Sequence, residues 1–283
     1  MHCHLISIYK DFLETSADAG HCFSLESTVE VQGKGTTAIK DLQIGDMVLS
    51  DEHGSYTKFY SFGKWDDVAP ILFLRIFTES TTKPLEVTGN HMIYKAFEKM
   101  SVPARFIKVG DIVKTADGPA KVTFIKEATR QGLANPLTLS STMVVDGIVT
   151  SNWVEIPAHD GVSFDYGWFT VGNRKIVHLE TISRIIYSPH RLICGHLMTC
   201  PQNKQGGTFR PAFSSFRKTV QNKALEVKSP AFSCFCVLAL VTIGFFFYVI
   251  ELLVQNVAVV ALVSAGSWFY LKRLSNKIKV KTA

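Results

Sequence analysis

Cysteine is scarce in this chain: Cys3, Cys22, Cys194, Cys200, Cys234 and Cys236 are spread over 283 residues. That density is too low for a disulfide-stapled scaffold, so the fold must rest on a hydrophobic core and each cysteine is read for an individual role. A secretory leader is also lacking at the front. There, Asp11 and Glu14 close a short apolar stretch that has neither a basic start nor a small-residue cleavage site. The expectation is a unit that is not exported, or a chain without its natural front end. Nor is there a stripe of one charge sign. The 30 basic and 24 acidic residues leave a net charge of +6, with the surplus after Gly172, from Arg174 and Lys175 onward. No nucleic-acid partner is expected from that distribution.

What is present divides the chain by composition. Its length allows one or two folded units and a tail. From Cys22 to Trp153, short apolar runs alternate with Gly, Asp, Asn and Pro. They are Ser27 to Val31, Met47 to Ser50, Ile71 to Phe77, Leu85 to Thr88, Met92 to Lys95, Ile112 to Thr115, Lys121 to Ile125, Leu137 to Leu139 and Met143 to Val145. Runs of that length and rhythm predict an all-β unit. The stretch from Asp41 to Ser50 (DLQIGDMVLS) echoes that from Phe106 to Thr115 (FIKVGDIVKT), aligning Gly45-Asp46 with Gly110-Asp111. A Gly-Asp turn feeding a strand twice predicts two related halves.

Residues 1–21 form a short upstream segment, 22–153 the β unit, and 154–229 a mixed segment. Within the last, Ile176, Leu179, Ile182, Ile185 and Ile186 predict a helix over Asn173 to Tyr187, and 201–229 reads as a linker. From Ala231 to Ile250 no residue is charged, which is the length a helix needs to cross the hydrocarbon layer. A second apolar run, 254–271, predicts a membrane hairpin within 230–273 in preference to a single span followed by an interfacial helix, and a basic tail, 274–283, follows. The expected localisation is integral to a membrane, with lipid as a partner.

Two places could carry chemistry. Cys22 stands at the start of the β unit in Gly20-His21-Cys22-Phe23-Ser24, and Thr88 and His91 flank a Gly89-Asn90 turn between two strand-like runs. A Thr and a His across one turn can converge on a single peptide group. Either feature alone also has a bland explanation, a packed thiol or a surface histidine.

Together, four blocks in order resemble the Hint family of hedgehog C-terminal domains and inteins: Gly20 to Val29, Asp41 to Ser50, Val87 to Tyr94 and Asp146 to Trp153. The resemblance covers about residues 20–153. It implies a pseudo-two-fold β fold and a self-cleavage at the bond joining His21 to Cys22, with no cofactor and no metal. Cys22 would attack the carbonyl carbon of His21, His91 would protonate the leaving nitrogen, and Thr88 would hold the scissile peptide. The resemblance also bears on how the thioester ends. Asn152 is preceded by Ser151 and followed by Trp153, so intein-type splicing lacks its usual histidine and its second nucleophile. It also stands where hedgehog proteins usually carry a cysteine. In hedgehog domains an Asp activates a sterol hydroxyl, and the strand that looks equivalent has Arg75 there, a group with no lone pair to accept a proton. Asp66 and Asp67 lie a few residues upstream as substitutes. Water or a small thiol is therefore the expected acceptor, with sterol disfavoured.

The remaining clusters invite plainer readings. His190, Cys194, His196 and Cys200 match no standard zinc spacing, and a disulfide or ordinary packing suits them better. His2, Cys3 and His4 are terminal, and Cys234 and Cys236 lie in the apolar run as filler or acylation sites. The rival to a single-turnover autoprocessing protein acting on its own upstream peptide is an inactive scaffold serving as a membrane-bound interaction protein. The compartment is left between the secretory path, where hedgehog relatives are processed, and the cytoplasmic face, which balanced Lys and Arg flanks of a hairpin would favour.

Overall fold

The computed structural model describes residues 22–155, 164–171, 174–200 and 230–256, with side chains of the last stretch described from Thr242. The upstream segment 1–21, including His21, the linker 201–229 and the expected second apolar helix beyond residue 256 lie outside the described residues.

The β unit contains β1 (Thr28–Val31), β2 (Gly35–Ala38), β3 (Met47–Leu49), β4 (Tyr56–Thr78), β5 (Leu85–Val87), β6 (His91–Ile93), β7 (Val102–Pro103), β8 (Ile112–Thr115), β9 (Gly118–Thr138), β10 (Thr142–Val145) and β11 (Ile148–Val154). Their sheet order is β2-β1-β3-β4-β9-β8-β11-β6-β7, with β5 paired to β4 and β10 to β11. The expected all-β unit is present. Two strands are longer than expected: β4 and β9 pair antiparallel from Phe59 opposite Thr138 to Thr78 opposite Val122. Their middles are mostly polar and carry exposed Val68, Leu72 and Phe124, so the backbone ladder, and not a buried face, sustains them there.

The internal echo is built in hydrogen bonds. In the first copy the Asp46 side chain accepts from Gln43 N–H at 3.0 Å, and in the second Asp111 accepts from Lys108 N–H at 2.9 Å. Gly45 N–H donates to Phe59 O at 2.9 Å and Gly110 N–H to Val122 O at 2.8 Å. Both glycines sit at positive φ, +101° and +96°, where a Cβ would be strained. Each turn is preceded by a 3-10 turn, Ile39–Asp41 or Ala104–Phe106. The two halves share one core, with Ile39, Val48, Phe59 and Ile76 from the first packed with Ala104, Val113, Val122 and Met143 from the second. Burying each large apolar side chain there contributes about 1.5–3 kcal/mol.

After the β unit come β12 (Phe164–Asp165), β13 (Trp168–Val171) and β14 (Arg174–His178), a separate three-stranded sheet, and then α1 (Leu179–Ile186). This corrects the helix expected over Asn173 to Tyr187. Its first third is strand, with Val177 opposite Phe169 and His178 opposite Trp168. His178 then caps α1, its extended backbone ending the strand and its Nδ1 accepting from Glu180 N–H at 3.3 Å. A helical turn Ser188–His190 and a π-helical segment Arg191–Leu197 follow, closed by a disulfide between Cys194 and Cys200.

The apolar run at 231–250 falls within α2 (Pro230–Gln255). Among the described residues no helix is long and apolar enough to cross a membrane. The described half of α2 is docked on one side. Arg191 grips the Glu251 carboxylate with two nitrogens, and Ser188 Oγ donates to Gly244 O at 2.8 Å. On the opposite side Phe245, Phe246, Val249, Leu252 and Leu253 are exposed.

Candidate active site

Cys22 is a thiol, outside the disulfide, and it is fully buried. The sequence places it at the entrance of the domain, whereas it packs within a patch of Phe73, Leu133 and Ile71. Pairing explains the burial. Phe23 exchanges two backbone hydrogen bonds with Ala134 of β9, each 3.0 Å, and bridges Val87 of β5 on its other side, so the chain enters as a strand between them.

The β5–β6 turn meets this strand at the Cys22 backbone. Thr88 Oγ1 accepts from Cys22 N–H at 2.9 Å, and Thr88 N–H donates to Cys22 O at 3.0 Å. The nitrogen so held belongs to the bond between His21 and Cys22. His91 closes the same turn, its N–H donating to Thr88 O at 3.0 Å. Its ring is fully buried, 4.2 Å from the Phe23 ring between centroids, and its Nε2 lies 2.7 Å from Ser151 O. A carbonyl can only accept, so Nε2 carries a proton and donates it to that oxygen. The three residues singled out from the sequence, Cys22, Thr88 and His91, are thus brought together. The Ser151 carbonyl was not legible there, because a backbone oxygen leaves no mark on residue identity.

The side chains of the secondary candidates Asn152 and Asp66 are bonded to other groups. Asn152 is buried and its side-chain amide donates to Thr138 O at 3.3 Å and to Thr138 Oγ1 at 3.1 Å, fastening β11 to β9. Asp66 stands opposite Leu133 in the ladder, and Leu133 packs on Cys22. Its carboxylate accepts from Val68 N–H at 2.9 Å and Ala69 N–H at 3.0 Å, bonds that hold it below the usual carboxylate range. Asp67 is exposed and its carbonyl accepts from Gln131. Arg75 is ion-paired with Glu86 at 2.9 Å, and Glu86 also takes Arg130. Of the four residues His190, Cys194, His196 and Cys200, the two cysteines are joined to each other, while His190 is packed against Tyr60, and burial holds its imidazole down to about 4.

A duplicated β unit that grips the peptide bond of its own first residue defines a protein of the hedgehog/intein class. The chain matches the Hint module over residues 13–162, more than half its length, and it belongs to the Hint family, a family of autoprocessing domains. It is 32% identical over 160 residues to the Sonic hedgehog protein of Xenopus laevis, covering 51% of this chain and 36% of that one. It is 24% identical over 198 residues to Protein qua-1 of Caenorhabditis elegans, covering 59% of this chain and 17% of that one. The gp41-1 intein crystal structure is similar over 47% of this chain and 99% of its own, with 18% identity and a TM-score of 0.41. The chain spans about a third of the length of the hedgehog protein it matches, 36%.

Proposed function

We propose that this protein cleaves itself once, at the bond joining His21 to Cys22. The observation that carries this reading is the two-bond grip of Thr88 on the Cys22 backbone, one of the bonds on the scissile nitrogen, with His91 in the same turn. The Cys22 thiolate adds to the His21 carbonyl carbon, the carbon–nitrogen bond breaks, and His91 as imidazolium gives its proton to the departing nitrogen. The products are a thioester on Sγ and a new amino group on Cys22. Asn152 takes no part in this scheme, because its amide is spent on Thr138.

Water or a small thiol then cleaves the thioester. Activation of a sterol hydroxyl calls for a carboxylate base, and the available groups serve poorly. Arg75 cannot accept a proton, and Asp66, with two backbone N–H bonds, is a weakened base. Membrane attachment through 231–271 is supported by the apolar outer face of α2. The Cys194–Cys200 disulfide supports an oxidising compartment for the Hint domain over the cytoplasmic face.

Mass spectrometry of the full chain in detergent, with dithiothreitol or hydroxylamine, tests the reading. A fragment ending at His21 that disappears in Cys22→Ala is the expected result, and an intact wild-type chain would favour the inactive scaffold. Incubation with radiolabelled cholesterol is expected to leave that fragment unlabelled; label on it would reverse the choice of acceptor.

A further inference from the structure

The turn that carries Thr88 and His91 is held from outside by Arg105 and Glu155. Arg105 lies in the 3-10 turn Ala104–Phe106, and its backbone N–H donates to Gly89 O at 2.8 Å. Its side chain forks, one terminal nitrogen donating to Asn90 Oδ1 and the other to the Glu155 carboxylate. Glu155 is the residue after β11, is 2% exposed, and sends its own N–H to Asn90 O at 2.7 Å. Phe106 lies under the guanidinium, 4.6 Å from ring centroid to Arg105 Cζ, and so helps to fix its plane.

Gly89 and Asn90 are the two residues between Thr88 and His91, and β11 carries the Ser151 carbonyl that orients the His91 ring. Arg105 therefore ties together the two pieces that set the position of His91: the turn that bears it and the strand that holds its Nε2. We infer that Arg105, with Asn90 and Glu155, is a positioning clamp for the first step of self-cleavage. The inference rests on the self-cleavage proposed above. The three side chains act through the placement of His91, where a misplacement of about an ångström costs on the order of a hundredfold in rate. The fork requires a planar group with several donors, so lysine, a point charge on a flexible stem, can keep the contact with Glu155 or the one with Asn90 but not both in register.

The test uses the full chain in detergent with saturating hydroxylamine. Asn90→Ala removes the side-chain link between the guanidinium and the turn while the backbone bonds to the turn and the Arg105–Glu155 pair stay, so the fold is retained. It is expected to slow cleavage about tenfold, and Arg105→Lys about as much. Because both variants break the same link, the double variant should be no slower than either single one. Wild-type rates in either single variant, or losses that multiply in the double, would overturn the clamp. Amide exchange across Thr88–Ile93 provides a readout independent of cleavage. Faster exchange in Asn90→Ala is expected, and unchanged exchange would overturn the clamp even if the wild-type chain proved inert, an outcome that would separately defeat the self-cleavage reading.

Discussion

Replacing Thr88 with valine removes one hydroxyl from a buried site while keeping the side chain's shape, and its two consequences can be worked out separately. The Cys22 N–H, now 2.9 Å from Thr88 Oγ1, loses its acceptor, and a buried unsatisfied donor costs about 1–3 kcal/mol of folding stability. The effect on rate is smaller, since only what strengthens in the transition state counts. As the nitrogen leaves it takes a proton and its bond to Oγ1 becomes charge-assisted. Such bonds contribute about 1.5–3 kcal/mol against about 0.5–1.5 for neutral ones, a difference of roughly 1–1.5 kcal/mol. That corresponds to roughly a 5- to 13-fold loss of rate. The backbone bond from Thr88 N–H to Cys22 O is retained, so the turn should stay in place. Hydroxylamine cleavage followed by intact mass gives the rate, urea unfolding gives the stability, and Thr88→Ser, which keeps the hydroxyl, should stay near wild type in both. Valine at the wild-type rate with reduced stability would reduce Thr88 to a purely structural residue. A loss beyond a thousandfold would mean that it does more than accept one hydrogen bond.

Other consequences follow from the same geometry. His91→Ala should block the first step, so that hydroxylamine releases little product; a thioester trapped in this variant would move His91 to a later role. His190 is held neutral in the fold down to about pH 4, against an ordinary value of 6.5. The unfolded chain therefore takes up that proton first as the pH falls, and stability present above pH 6.5 is lost between 6.5 and 4, by no more than about 3 kcal/mol. Urea midpoints from pH 7.5 to 4.5 should fall less steeply in His190→Phe than in wild type, and equal slopes would refute the assignment. Residues 231–271 should keep the chain in membranes through a carbonate wash while a chain ending at Ser229 is washed out, and carbonate extraction of the complete chain would count against the anchor.

Much of the site could be read from residue order alone, because the chemistry depends on residue type over short spans. A thiol at the head of a β-patterned region and a Thr and a His across one Gly-Asn turn are local signals, and so is the Gly-Asp turn that recurs at Gly45 and Gly110. Short β-branched runs between turn residues likewise announced most of the strands. Features made by pairing at long range were hidden. The polar middles of β4 and β9 show no periodicity, because ladder bonds and not a buried face sustain them. The strand at Arg174–His178 was mistaken for helix because Ile176 fits a helical spacing, and only its partner β13 decided otherwise. Cys22 looked like an entrance residue until Phe23 was seen seated between Ala134 and Val87. Residue order alone determined which groups could react: a nucleophile, a proton carrier and a hydroxyl. The tertiary structure decided what holds them, the Ser151 carbonyl on His91 and the forked Arg105 on the turn. The reason is physical, since a backbone oxygen has no residue identity and a guanidinium's partners lie 15 and 50 residues away along the chain.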